Sequence, residues 1–397
     1  MGPPSLPVVA WKWNQKQLGW VTTGVALGVT LAVLVTLGSP HQPQNAPDNV
    51  AADLPAPQRQ PVASGPVPEV PAPAEPRADW MRKLGPNEKP PQFVMFSFDG
   101  AASKEHWDRV LPITRQAKAH VTGLLSGVYM MSDSQGPDYH GPGQDPGFSA
   151  IGFGGSKQDV ALRINYLNDA IAAGHEIGTH YNGHFCQGTE PSVGTWNTDQ
   201  WNSELDQFFS IIDQARGQGF QLDPKNIRGG RTPCLEGDWK AAFPAMKSHG
   251  IVYDTSQVSL GVTWPTVIDG VYEFPLPEVK VPALNKQAVM MDFNLWYALN
   301  GAKEQPERAA EFTSVVVDTY RSVYRAAFNG NRAPLTIGNH FNEWAGGAFS
   351  AAVEQFMGEV CVQKDTVCAT YTEVIQWMQL QDPQVLAQLR SFPAARN

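Results

Sequence analysis

The sequence predicts an α/β fold built on a parallel sheet, and three observations carry that expectation. Strand-like and helix-like stretches alternate from Pro91 to near the end of the chain. The first strand-like run, Phe93-Val94-Met95-Phe96-Ser97-Phe98, is almost continuously apolar, as a strand covered on both faces should be. Chemistry-bearing residues stand just past several such runs, where parallel α/β folds place their sites, whether the sheet closes as a barrel or stays doubly wound.

The elements follow in order. After the run at 93–98, the stretch from Trp107 to Ala119 reads as a helix and Val121 to Val128 as the next strand. A helix from Lys157 to Ala173 precedes a short strand at His175-Glu176-Ile177-Gly178. An amphipathic helix begins near Thr198, its apolar face formed by Trp201, Leu205, Phe208, Ile211 and Ile212. Farther on, Pro334-Leu335-Thr336-Ile337-Gly338-Asn339 reads as an apolar strand.

The part before Pro91 has a different composition. Residues 18–38, Leu18 to Gly38, are apolar, Thr or Gly without a charge, long enough to cross a hydrocarbon layer of ~30 Å. Lys12 and Lys16 precede this run and the next basic residue is Arg59, which by the positive-inside rule puts residues 1–17 in the cytoplasm and the rest outside. A cleaved signal peptide is the competing reading, but Leu37-Gly38-Ser39-Pro40-His41 lacks a small-x-small cleavage pattern. Residues 39–90 are rich in Pro and Ala, a composition suited to an extended spacer. The expected organisation is a cytoplasmic N-terminus, a plasma-membrane anchor at 18–38, a linker at 39–90 and a domain at 91–390.

Composition narrows the function. With 38 acidic against 29 basic residues the net charge is −9, which leaves no basic surplus for a phosphate backbone and argues against nucleic acid. Four Cys in 397 residues exclude a small disulfide scaffold but allow one or two bridges. The 12 Trp suit stacking on sugar rings.

The densest chemical cluster is His175-Glu176-Ile177-Gly178-Thr179-His180-Tyr181-Asn182-Gly183-His184. It is not a helical zinc-protease motif, because His175 and His180 are five apart and diverge on a helix. His180 and His184 are four apart, so one turn brings both imidazoles to one side, with Gly183 giving the backbone room to bend. Asp99 ends the first strand, Arg231 lies in Gly229-Gly230-Arg231-Thr232-Pro233-Cys234, and His340 ends the strand at 334–339.

Together these segments resemble the metal-dependent polysaccharide deacetylases of carbohydrate esterase family four, over about Pro91 to Trp377. Ser97-Phe98-Asp99 resembles the first motif of that family and His180-Tyr181-Asn182-Gly183-His184 its His-x-x-x-His second. Arg231-Thr232-Pro233-Cys234 resembles the third motif, Thr336-Ile337-Gly338-Asn339-His340 the fifth, and Tyr253-Asp254-Thr255-Ser256 a signature of the insect-like chitin deacetylases. Met291-Asp292-Phe293-Asn294-Leu295-Trp296 is loosely similar to the fourth. The resemblance implies a distorted parallel (β/α) barrel that hydrolyses N-acetyl or O-acyl groups of a cell-envelope polysaccharide with a divalent metal, zinc by preference. It implies Asp99 as base, His180 and His184 as metal ligands, and Arg231 as the partner of Asp99. The Cys234 backbone N–H becomes the oxyanion donor, His340 the acid, and Asp292 the group that tunes His340.

Two departures stand out. The position of the third metal ligand, an Asp in the family, falls on Gly100, so the metal lacks its anionic ligand or another group replaces it. A shift of one residue would make Asp99 the ligand, but places Phe98 at the base. The third motif carries Cys234 in place of an aromatic residue. If His184 and Arg231 share a site, Cys186 and Cys234 are close, and outside the cell they form a bridge, with Cys361 and Cys368 as the second pair. The alternative is a thiolate of Cys186 or Cys234 standing in for the lost Asp. The competing function is a catalytically impaired deacetylase fold that binds glycan as an envelope scaffold.

Overall fold

The computed structural model describes residues 79–397. The expected cytoplasmic N-terminus and membrane anchor, and most of the linker, lie outside the described residues. No helix among the described residues is long and apolar enough to cross a membrane.

The strands are β1 Gln92–Gly100, β2 Thr122–Leu125, β3 Glu176–Thr179, β4 Gly229–Gly230, β5 Tyr253–Asp254, β6 Val258–Leu260, β7 Thr266–Ile268, β8 Val271–Glu273, β9 Leu276–Val281, β10 Lys286–Val289, β11 Leu335–His340 and β12 Thr366–Cys368. The helices are α1 Lys104–Ala117, α2 Lys157–Ala172, α3 Thr198–Arg216, α4 Trp239–Ser248, α5 Asp292–Asn300, α6 Ala309–Asn329, α7 Trp344–Val360, α8 Tyr371–Leu380 and α9 Pro383–Ser391. The main sheet runs β11-β1-β2-β3-β4-β5-β8-β7, with β12 also paired to β1, and every pair except β7 with β8 is parallel. It is a curled half-barrel: among the described residues no pairing joins β7 back to β11, so the distorted barrel that the resemblance implied is open on that side.

Local sequence explains the elements. All of β1 is buried except Gly100, because helices cover both faces of a parallel sheet. Helices α2, α3 and α8 start at capping boxes, Ser156 with Asp159, Asn197 with Gln200 and Thr370 with Glu373, which satisfy backbone N–H groups that the first turn leaves free. Helix α6 buries Phe312, Val316, Tyr320, Val323 and Ala327, a spacing of three to four residues that forms one apolar stripe.

Two expectations need correction. The folded part begins before residue 91: Met81 is buried, the Trp80 ring meets Phe93 edge-on at 5.6 Å, and Leu84 N–H donates to Gln381 Oε1 at 2.9 Å. Three large apolar side chains in a Pro-rich surround are enough to fasten this segment, and average composition hides them. At the other end, Ala395 bridges to Val262, so the fold also extends past residue 390. The segment expected to be one strand from Val121 to Val128 ends at Leu125 and continues as a 3-10 turn, Gly127–Met130. Gly127 lies against Asn182 and Phe208, where a side chain would clash.

A second, three-stranded sheet, β10-β9-β6, has one consequence for chemistry. It delivers α5 to β11 through a bridge between Met291 and Gly338, which puts Asp292 beside His340.

Candidate active site

The parallel register gathers the site. Asp99 and His340 are direct partners on β1 and β11, at the carboxyl ends of both strands. His180 follows β3 and its N–H donates to Leu125 O at 2.8 Å; Arg231 follows β4 and its N–H donates to Thr179 O at 3.1 Å. Four strand ends, spread over the sequence from 99 to 340, therefore converge at one edge of the sheet, where backbone groups run out of strand partners and side chains take over.

Arg231 is fully buried and spends its guanidinium on four residues. Nη1 donates to Asp99 Oδ1 at 2.7 Å, Nε to Thr255 O at 2.9 Å, and Nη2 to Ser97 Oγ at 2.9 Å, with Tyr371 Oη at 3.2 Å. Burial pushes the Asp99 carboxyl up, but the Arg231 charge, helped by His180 and His340, outweighs it and holds the group below its ordinary value. Asp99 is thus a charged acceptor with one oxygen occupied by Arg231.

The other Asp99 oxygen, Oδ2, lies 3.9 Å from His340 Nε2. The far nitrogen of that ring, Nδ1, pairs with Asp292 Oδ1 at 2.7 Å, while Asp292 Oδ2 accepts the His340 backbone N–H at 2.7 Å and Asn342 Nδ2 at 2.9 Å. This contact fixes Nδ1 as the protonated nitrogen and aims Nε2 at the site. Burial lowers the His340 pKa, but Asp292 more than compensates and the net direction is upward.

His180 and His184 come together with ring centroids 5.1 Å apart. The helical turn expected to do this is absent. The segment is a loop with left-handed backbone at Tyr181 (φ 58°) and His184 (φ 57°). Gly183 is required by space: a Cβ there would stand 2.3 Å from the Phe185 ring and 2.8 Å from Tyr139 Oη. The loop is clamped from beneath by Glu204, wholly buried, which accepts Asn182 N–H and Tyr139 Oη–H, each at 2.8 Å; Tyr139 Oη in turn accepts Gly183 N–H at 3.0 Å.

These imidazoles could hold a divalent ion. His180 Nδ1 donates to Arg231 O at 2.8 Å, and its Nε2 is buried with no hydrogen-bond partner among the described residues. A ring oriented through one nitrogen with a bare lone pair on the other has the form of a metal ligand. Burial, helped by His180, lowers His184 to about 3, so it too is neutral. The third ligand position is another matter. Gly100 has left-handed backbone, φ +80°, and supplies no donor. Among the described residues the group of three His, Cys, Asp or Glu whose ligand atoms converge is His184, Cys186 and Cys234.

Cys186 and Cys234 are joined by a disulfide with Cα atoms 6.0 Å apart, and Cys361 and Cys368 by another at 5.4 Å, the two pairs expected. Cys234 has left-handed backbone, φ 53°, in a short 3-10 turn whose bonds come from the N–H groups of Leu235 and Glu236. Its own N–H donates to none of the described residues.

Trp296 stacks on Trp344 at 5.1 Å, and Trp344 lies 5.3 Å from His340. The residues that sequence reasoning missed are supports: Tyr371 and Ser97 on Arg231, Asn342 on Asp292, and Glu204 and Tyr139 under the His loop. Tyr371 gave no signal because it reaches Arg231 from a helix start 140 positions away. Thr255 and Ser256 did carry one, in Tyr253-Asp254-Thr255-Ser256. Thr255 accepts from Arg231, and Ser256 Oγ accepts Thr232 N–H at 2.9 Å.

The sequence matches no known family profile and no curated protein. Its fold is similar to solved structures of low identity. A Mycobacterium smegmatis protein assigned as a polysaccharide deacetylase is 15% identical, with 79% of this chain covering 96% of that one at a TM-score of 0.46. A peptidoglycan deacetylase from Bacillus subtilis is 12% identical, with 77% and 98% covered and a TM-score of 0.39. A family 4 carbohydrate esterase pseudoenzyme from Bacillus anthracis is 11% identical, with 73% and 66% covered and a TM-score of 0.39. These solved structures are thus assigned as polysaccharide or peptidoglycan deacetylases and a family 4 pseudoenzyme.

Proposed function

We propose that the chain is a metal-dependent hydrolase that removes N-acetyl, or less favourably O-acyl, groups from a cell-envelope polysaccharide such as peptidoglycan or a chitin-like glycan. One observation carries the reading: Asp99 Oδ2 and His340 Nε2 face each other at 3.9 Å, and each is backed by a buried counter-charge, Arg231 behind Asp99 and Asp292 behind His340. Opposed environments of this kind divide one site into a base and an acid.

In this reading Asp99 Oδ2 receives the proton of the attacking water while Arg231 holds the carboxylate in place. The free N–H of Cys234 donates to the oxygen that gains charge as the acyl carbon becomes tetrahedral. His340 Nε2 delivers a proton to the departing amine, and Asp292 stabilises the imidazolium before that transfer. His180 Nε2 and His184 would hold the divalent ion, which supplies Lewis acidity toward water and the acyl oxygen. The uncharged run at 18–38 would anchor the chain in the plasma membrane with the domain on the extracytoplasmic side. External protease should then release the domain from intact cells, and a mature soluble chain that starts near Ser39 would contradict the anchor.

The test is a pair of variants. Asp99→Asn should leave bound zinc unchanged and lower hydrolysis of an acetylated amino-sugar oligomer by at least ~10²-fold, the scale for losing a positioned base. His180→Ala should remove metal and activity together. If Asp99→Asn strips the metal, Asp99 is a ligand and not the base.

Gly100 favours a second reading, a glycan-binding scaffold with impaired catalysis, since position 100 offers no second carboxylate beside Asp99 for the ion. Wild-type protein that binds glycan but hydrolyses no acylated oligomer would establish it.

A further inference from the structure

We infer that the Cys186–Cys234 disulfide gates the metal site: once reduced, the two thiolates join His184 as a Cys2His set for a zinc-class ion, replacing the anionic ligand missing at Gly100. This rests on the metal-binding part of the proposed function, not on the deacetylation chemistry.

Three observations support it. The sulfur atoms of Cys186 and Cys234 and a ring nitrogen of His184 all lie within 4.8 Å of one another, close enough for one ion to bridge with small side-chain shifts. His180 Nε2, on a side chain 3% exposed and without a partner among the described residues, belongs to the ring 5.1 Å from His184 and stands by as a fourth donor. Two imidazoles alone make a weak site for a dication, whereas two thiolates add both soft donors and negative charge. Cys234 is exposed, so an external thiol can reach its sulfur.

The chemistry balances without a group outside the proposal except a dithiol reductant. That dithiol transfers two electrons and two protons to the S–S bond, which breaks into two thiols, and itself leaves as a disulfide. When the ion binds, each thiol loses its proton to solvent and each sulfur forms a bond to the ion, so two protons are released per ion. The gate has a direction. Oxidation expels the thiolate ligands and leaves the imidazoles alone, and reduction restores the set.

The test uses the full chain in detergent with cobalt(II) as a spectroscopic stand-in for zinc, titrated in the disulfide form and after dithiol treatment. Reduction should tighten binding by more than the roughly 10–100-fold that even an outer-shell partner contributes, and should bring a thiolate-to-cobalt charge-transfer band. Bound zinc should protect Cys186 and Cys234 from iodoacetamide in the reduced wild-type chain; this reading needs no variant to fold. Cys186→Ser with Cys234→Ser should abolish the band and the redox dependence, and Cys361→Ala with Cys368→Ala should keep both. Equal affinity in the two redox forms, a reduced form without the band, or alkylation of Cys186 and Cys234 unaffected by zinc each overturns the gate. None of these readouts uses hydrolysis, so the gate and the deacetylase reading fail separately.

Discussion

The two halves of the site are built on opposite principles. Around Asp99 and His340 every charged group already has a partner: Arg231 on Asp99, Asp292 on His340, with Ser97, Thr255, Tyr371 and Asn342 completing the shell. Around His180 and His184 the groups are neutral, and the Nε2 of His180 is bare. A finished ion network holds its geometry whether or not anything binds. A neutral pair of imidazoles keeps its lone pairs for something that arrives. Under the proposed function the first half would be preorganised for proton transfer and the second for ligation, so that one small site would bind an ion without neutralising its own base.

The largest expected effect tests the charged half. Arg231→Met would leave Asp99 ionised and unpaired in a buried setting, and loss of one partner of a buried pair costs about 3–5 kcal/mol. Urea unfolding should show that loss at neutral pH and much less of it in acid, where Asp99 takes a proton. A loss below ~1 kcal/mol, the scale of a surface pair, would mean the network is not the rigid half.

The pH profile sharpens the same contrast. Asp99 is held below its ordinary value of 3.8, so its share of stability is present above that value and disappears as pH falls through the folded pKa. His340 is raised above 6.5, so its share is full below that value and disappears as pH rises through the folded pKa. The charged half is therefore most stabilising between those limits. Asp292→Asn removes the charge that raises His340 and should move the alkaline limb of kcat/KM to lower pH. A limb that stays in place would show that His340 is not the acid.

Gly100→Asp is the smallest and the most discriminating change. A Cβ at Gly100 would meet Tyr129 at an ordinary 3.6 Å, so the obstacle is not space but the left-handed backbone at φ +80°. That conformation costs an L-residue roughly 1–2 kcal/mol, toward the low end for Asp. Thermal unfolding should register the loss while zinc affinity rises, joining the two halves through one carboxylate. Lower stability with no gain in affinity would show that the end of β1 does not face the two imidazoles.

Much of the charged half was legible because it is written as strand followed by functional residue. Asp99, Arg231 and His340 each follow a run that reads as a strand or its start, and a parallel sheet must bring such ends to one edge. Asp292 was legible only through family resemblance, since its approach to His340 depends on the Met291–Gly338 bridge between a hairpin and a distant strand. The His loop was half legible. The spacing of His180 and His184 suggested proximity, but by a helical turn that does not form; left-handed backbone at Tyr181 and His184 does the work, with Glu204 and Tyr139 beneath it.

By itself the sequence determined the alternation of strand and helix, the lack of a carboxylate at Gly100 and the identities of the residues at the strand ends, because these depend on local pattern and side-chain chemistry. Only the tertiary structure decided that the sheet stays open, that residues 79–90 belong to the folded part, that Tyr371 and Glu204 brace the site, and that both sulfurs lie against His184. Those outcomes come from contacts between segments far apart in the chain, 297 positions between Leu84 and Gln381 and 140 between Arg231 and Tyr371. Such contacts depend on which surfaces meet once the core has packed, and no local pattern encodes them.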